Sequence, residues 1–168
     1  MQHHNAPTRL LDWTDSAFVA AYFAVERDLQ DDGAIWALDC MALSDKVKRA
    51  HFRDRFPPPE EHGIRFLNPN AAPAVWSIQR PLATDRIVAQ QGVFTIAEHI
   101  LTDHGHRIEE LAAGDDDMFF RFVIPAHVKR LFLRRLRRMN IHAGALFPGI
   151  DGLGRSVAEI VHLIGEVP

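Results

Sequence analysis

The stretch that most constrains this chain is "PTRLLDWTDS", followed at once by "AFVAAYFAV". A short extended segment runs into a helix that is apolar nearly all the way round up to Val25. A helix without a polar face has to be buried. Residues 8–13 are therefore expected to form a short strand and residues 16–27 a buried helix. Thr14 or Asp15 is the expected N-cap, because a side-chain oxygen there accepts from the first free amides. The same corner carries Arg9 and Asp12. A buried polar group without a partner costs about 1–3 kcal/mol, and a lone charge costs more. Such residues either satisfy one another or face a site. Strand alternation puts Thr8, Leu10 and Asp12 on one face and Arg9, Leu11 and Trp13 on the other. Arg9 and Asp12 cannot pair within a regular strand, so each needs a partner elsewhere.

Further along, "DDGAIWALD" reads as a turn and a strand, and residues 41–53 as a more exposed helix that "FPPPEEHG" ends. "IRFLNP" and "PAVWSIQRP" read as extended pieces. Residues 86–97 are expected to form one strand interrupted at Gly92 by a bulge or a close backbone approach. "DHGHRIEELAAGDDD" reads as a loop, a turn or two of helix and an acidic loop. "MFFRFVIP" reads as a strand, and 126–139 as an amphipathic helix. "GALFPGIDGLG" reads as a loop, and 155–164 as a closing helix that Asp151 is expected to cap. Strands and helices mix without strict alternation. That places the chain in the α+β class, with mixed, mostly antiparallel sheets and a buried helix after the first strand.

The 168 residues suit one domain. One cysteine, Cys40, excludes an internal disulfide, and with no signal-peptide pattern the cytoplasm is the expected compartment. The longest apolar run is too short to cross a membrane. A net charge of -3 gives no global attraction to nucleic acid.

Three separated stretches resemble one bacterial family, the FRG domain, named for a Phe-Arg-Gly motif near its N-terminus. "QHHNAPTRLLDWTDSAFVAAYFA" is similar to the family's Gln-His-x-Gly-x-Pro-Thr-Arg-Leu-Leu-Asp-Trp-Thr segment. "RIVAQQGVFTI" is similar to its Arg-Ile-x-x-Gln-x-Gly-x-Phe core. "MNIHAGALFPGIDGLGRSV" is similar to its C-terminal Leu-Phe-Pro-x-x-Asp-Gly segment. Two positions depart from the pattern. The Phe-Arg-Gly motif itself is absent, which implies one FRG domain over 1–168 without its N-terminal portion, and Asn5 stands where the family has glycine. The order of motifs resembles that of ADP-ribosyltransferases. The resemblance implies a split-sheet fold of that kind and a nucleotide- or NAD-binding domain, either active or catalytically degenerate.

On that reading Arg9, Asp12 and Gln91 are the candidate catalytic residues. Arg9 would grip a phosphate or carboxylate bidentately. His3, Thr8, Trp13, Thr14, Gln90 and Gly92 are the candidate cofactor-binding residues, with Trp13 a stacking wall and His3 a hydrogen-bonding group at the cleft. Charge developing on a ribose calls for a carboxylate. At the place where the resemblance implies a glutamate the chain has glutamine or glycine, in the run Gln90-Gln91-Gly92, so the carboxylate would come from Asp12, Glu98 or Asp151. The structural alternative is that Arg9 pairs with a distant carboxylate, Asp12 caps a turn, and Gln90 and Gln91 bond across strands. No histidine or cysteine spacing suggests a metal site. A second functional reading is a non-catalytic recognition module in a bacterial stress or phage-defence context. It would bind protein or nucleic acid through the basic helix 128–139, with Lys129, Arg130, Arg134, Arg135, Arg137 and Arg138 around its apolar positions.

Overall fold

The computed structural model describes residues 9–52, 70, 72–78 and 84–164. The molecule is an α+β protein with small antiparallel sheets. The chain order is β1 (Leu10–Thr14), α1 (Ala17–Val25), β2 (Gly33–Leu38), α2 (Cys40–Phe52), β3 (Val75–Ile78), α3 (Asp85–Ala89) and β4 (Gly92–Ala97). It continues with α4 (His104–Ala112), β5 (Phe119–Ile124), α5 (Ala126–Arg138), α6 (Ala143–Leu146) and α7 (Ile150–Ile164). One sheet has the order β1-β4-β3, and β2 pairs with β5 in the other. Strands β3 and β4 run antiparallel, with Val75 opposite Ala97 and Ile78 opposite Phe94. The expected strand "IRFLNP" and the helix end at "FPPPEEHG" lie outside the described residues.

The chain divides into two compact units. The first takes Met1–Asp12, Trp36–Gln79 and Phe94–Phe120, and the second takes Trp13–Ile35, Arg80–Val93 and Arg121–Pro168. The first unit has its core where α2 meets β3 and α4. Leu43, Val47, Val75, Ile108 and Met118 are buried there. The second unit is built on helices, with α1 against α5 and α6 against α7. Its core gathers Val19, Tyr22 and Val25 of α1, Leu133 and Leu136 of α5, and Leu146 and Phe147 around α6.

Local chemistry explains the element ends. Ser16, not Thr14 or Asp15, caps α1, its hydroxyl accepting from the Val19 amide at 3.3 Å. The Thr14 hydroxyl is taken: it accepts from the Ser16 amide at 3.1 Å and donates to the Gln90 carbonyl at 2.8 Å. Helix α1 buries one face only. Val19 and Tyr22 are 1% and 2% exposed, whereas Phe18 is 56% and Phe23 40% exposed. The expectation of burial all round is therefore corrected.

Residues 86–97 do not form one strand. Thr84 accepts from the Ile87 amide at 3.3 Å and starts the short helix α3. Gln91, at φ 48, ends it in a left-handed turn before β4 begins at Gly92. The closing helix likewise begins at Ile150, five residues earlier than expected, so Asp151 lies in its first turn rather than at its cap.

Lys129 of α5 is buried, only 2% exposed. Its ammonium donates to the carbonyls of Arg27 at 2.7 Å, Asp28 at 3.0 Å and Asp31 at 3.2 Å. One cation thus holds the turn that follows α1, and the carbonyl dipoles replace the water it gives up. Glycine is required at 33, where a Cβ would meet the carbonyl oxygen of Ala24. Among the described residues no helix is long and apolar enough to cross a membrane.

Candidate functional site

The residues singled out in the sequence divide between the units. Arg9 and Asp12 belong to the first, whereas Trp13, Thr14, Gln90, Gln91 and Gly92 belong to the second. His3 and Thr8 lie outside the described residues.

In the first unit the Arg9 guanidinium donates to the backbone carbonyl of Glu98 at 3.0 Å. The Arg9 carbonyl accepts from the Ala97 amide at 3.4 Å and from His104 Nε2 at 3.1 Å. A carbonyl only accepts, so His104 carries its proton on Nε2, and Nδ1 is the acceptor for the Thr95 hydroxyl at 2.9 Å. Burial holds the His104 pKa below its ordinary value, with the Arg9 hydrogen bond and Asp103 opposing that shift. Glu98 is buried, and its carboxylate accepts from the Trp76 indole at 2.7 Å. Arg9 is thus engaged at the junction of β1 with the end of β4. Asp12 is exposed.

In the second unit the Gln90 side chain donates to the Leu146 carbonyl at 3.0 Å, and its own carbonyl accepts from Thr14. The Gln91 carbonyl accepts from the Asp15 amide at 3.0 Å. These bonds tie the start of α1 and the end of α6 to the α3–β4 turn. The proposed pairing of Gln90 across strands is replaced by its bond to Leu146.

The second unit also holds a pocket of about 260 Å³ between α1, α5 and α7. Leu29 and Leu133 give it an apolar wall; Tyr22, Glu26, Arg27, Arg155 and Glu159 supply its polar groups. Glu26 Oε1 lies 3.5 Å from the Arg27 guanidinium, and its Oε2 lies 4.0 Å from that of Arg155. Arg155 stands over the Phe147 ring at 4.2 Å, a cation–π contact that fixes its head. Glu159 accepts from Tyr22 and from the Ala143 amide, both at 3.2 Å, and from Arg137 at 3.3 Å. Burial, then the carboxylates of Glu26 and Glu159, push the Tyr22 hydroxyl far above the usual tyrosine range, so it stays a donor. The pocket therefore combines two cationic heads, a fixed hydroxyl donor and two carboxylates. Sequence reasoning had not picked out Tyr22, Glu26, Arg155 or Glu159. The available signal was Tyr22, the single tyrosine of the chain, set in an otherwise apolar helix. Among the described residues no group of three histidine, cysteine or acidic side chains could hold a metal ion.

The class these features define is an α+β protein whose helical unit carries a small, charged pocket. Against known families, residues 1–33 match the FRG domain, which supports the resemblance read from "QHHNAPTRLLDWTDSAFVAAYFA". The described part of that match carries β1, α1 and the first residue of β2. No curated protein and no solved structure matches the chain.

Proposed function

We propose that this FRG-domain chain binds a nucleotide in the pocket of its second unit and is degenerate as an ADP-ribosyltransferase-like enzyme. The observation that carries the reading is the convergence of Arg27 and Arg155 on Glu26 beside an apolar wall. An incoming phosphate takes both arginines as a bidentate clamp, and Glu26, released from them, accepts from ribose hydroxyls. A volume of about 260 Å³ falls just short of the roughly 300–1,000 Å³ of most ligand sites, which favours a mononucleotide over a whole dinucleotide. Degeneracy is supported by the committed polar groups. Arg9, Thr14 and Gln90 all donate to backbone carbonyls, and Gln91 brings a neutral amide where a carboxylate would stabilise a ribosyl cation.

Calorimetric titration with a nucleoside monophosphate and with NAD tests this. Binding of the monophosphate that falls at least tenfold in Arg155→Ala, with no NAD cleavage, is the expected result. Absence of binding by either ligand ends the proposal, and NAD cleavage ends its degenerate half. The recognition-module reading keeps one supporting observation: Arg134, Arg135 and Arg138 of α5 are exposed, and Phe122 just before the helix is exposed too. Under that reading a captured partner is lost on Arg134→Glu/Arg138→Glu and retained in Arg155→Ala.

A further inference from the structure

Helices α3, α6 and α7 of the second unit meet at Phe147, and two cationic heads meet there with them. Arg86 and Gln90 are one turn apart on α3 and share a face. Gln90 donates to the Leu146 carbonyl at 3.0 Å, which seats α3 at the end of α6 and brings Arg86 to the next residue. Gly152 does the same for α7. Only hydrogen fits there against the Phe147 carbonyl, and Arg155, one turn on, reaches the ring. The guanidinium carbons of Arg86 and Arg155 stand 5.0 and 4.2 Å from the ring centroid. Both heads thus lie within 5.0 Å of one point, and the residue they cover is only 4% exposed.

Two like charges so placed repel each other, and an anion between them removes the repulsion. The carboxylates nearby are committed elsewhere. Glu26 lies 3.5 Å from Arg27 and only 4.0 Å from Arg155. Glu159 pairs with Arg137 at 3.3 Å. Asp85 and Asp151 stand in the first turns of α3 and α7, where the positive helix ends attract them. Among the described residues no carboxylate forms an ion pair with Arg86. Along the row Arg27, Arg155, Arg86, three cations therefore share Glu26 alone. Arg86 also has an unused donor: its Nε is buried and finds no acceptor among the described residues. A ring answers the charge of a guanidinium, but the N–H groups still call for acceptor oxygens.

We propose that Arg86 and Arg155 form a second phosphoryl subsite, and that the nucleotide held in the neighbouring pocket is a nucleoside diphosphate. This rests on the nucleotide reading and extends it. The first phosphoryl lies between Arg27 and Arg155. The second passes over Arg155 to Arg86, whose Nε and terminal nitrogens grip its oxygens as a fork. Arg155, with five donors, serves both phosphoryls. Phe147 spaces the two heads and brings no polar side-chain atom of its own to compete for their N–H groups. Neither Arg86 nor Phe147 lines the pocket, so the second phosphoryl lies at its rim beside Arg155 and takes up none of the space within.

Calorimetric titration of the whole chain with adenosine monophosphate and adenosine diphosphate, without divalent metal, tests it. The wild-type chain should bind the diphosphate at least about tenfold more tightly, as one added charge-assisted fork implies. Arg86→Gln keeps a side chain over Phe147 and removes the charge. It should bind the monophosphate as the wild type does and lose the preference, with unchanged far-ultraviolet circular dichroism. Arg134→Gln, which removes an exposed cation of α5, should keep both affinities. Equal affinity of the wild type for the two ligands overturns the second subsite and leaves the monophosphate site standing, and that comparison does not depend on how any variant folds. A preference that survives Arg86→Gln, or that Arg134→Gln removes as well, also overturns it. Absence of binding by both ligands ends the nucleotide reading and this extension with it.

Discussion

His104 receives the Thr95 hydroxyl on one nitrogen and gives its proton to the Arg9 carbonyl with the other, and that arrangement uses the neutral ring. Burial favours the same form. An unfolded chain takes up a proton near the ordinary value of 6.5, whereas the folded one resists it. The contribution to stability is therefore complete above that value and is lost as pH falls from it toward the depressed folded value. Urea midpoints measured from about pH 7.5 to about pH 5 should decline, and the decline should be shallower in His104→Gln. An equal slope in both proteins would remove His104 as the cause. At this scale the sequence was partly legible. The need of Arg9 for a distant partner could be read from strand alternation. That the partner includes the backbone carbonyl of Glu98 could not, because a carbonyl leaves no mark in the residue types. The cap of α1, expected at Thr14 or Asp15, falls one or two residues later for a related reason. Thr14, Asp15 and Ser16 are all good capping residues, and the choice falls to Ser16 because Thr14 is already bonded to Gln90.

Among the elements, those with a strong pattern formed where the sequence put them: α2, β5 and α5 lie within a residue or two of their expected spans. The misreadings have separate causes, and the stretch read as a loop from Gly144 also holds the short helix α6. Residues 85–89 are apolar enough for a strand, but Thr84 supplies a cap and Gln91 a left-handed exit, so a short helix fits before β4. The segment from Ile150 looked like loop because Gly152 and Gly154 are poor helix formers, each costing about 1 kcal/mol relative to alanine. Tertiary contact outweighs that cost at Gly152, where a Cβ would run into the carbonyl oxygen of Phe147. Gly152→Ala should therefore destabilise the protein by about 1–3 kcal/mol despite its better helix propensity, read as a lowered urea midpoint. A midpoint raised by the substitution would show that α7 is held away from Phe147 in solution. The charged pocket was illegible for a different reason. Its polar groups come from α1, the turn after it and α7, more than a hundred residues apart, and each taken alone resembles an ordinary solvated side chain.

At the scale of the whole molecule, each of the two compact units buries its own apolar residues among those described, and the three tryptophans sample them unequally. Trp76 is 9% exposed and its indole is bonded to the Glu98 carboxylate; Trp36 lies stacked on Phe119 at 5.0 Å and is 42% exposed. Trp13 belongs to the second unit and is half-buried. The bond between Trp76 and Glu98 thus makes the chain its own optical reporter. A charged quencher such as iodide should extinguish the red-edge emission of Trp36 and leave a blue-shifted residue of light from Trp76. Trp76→Phe should remove that protected component, and if it persists the shielded emitter is another ring. Melting of the first core can then be followed by its colour alone, with no label attached.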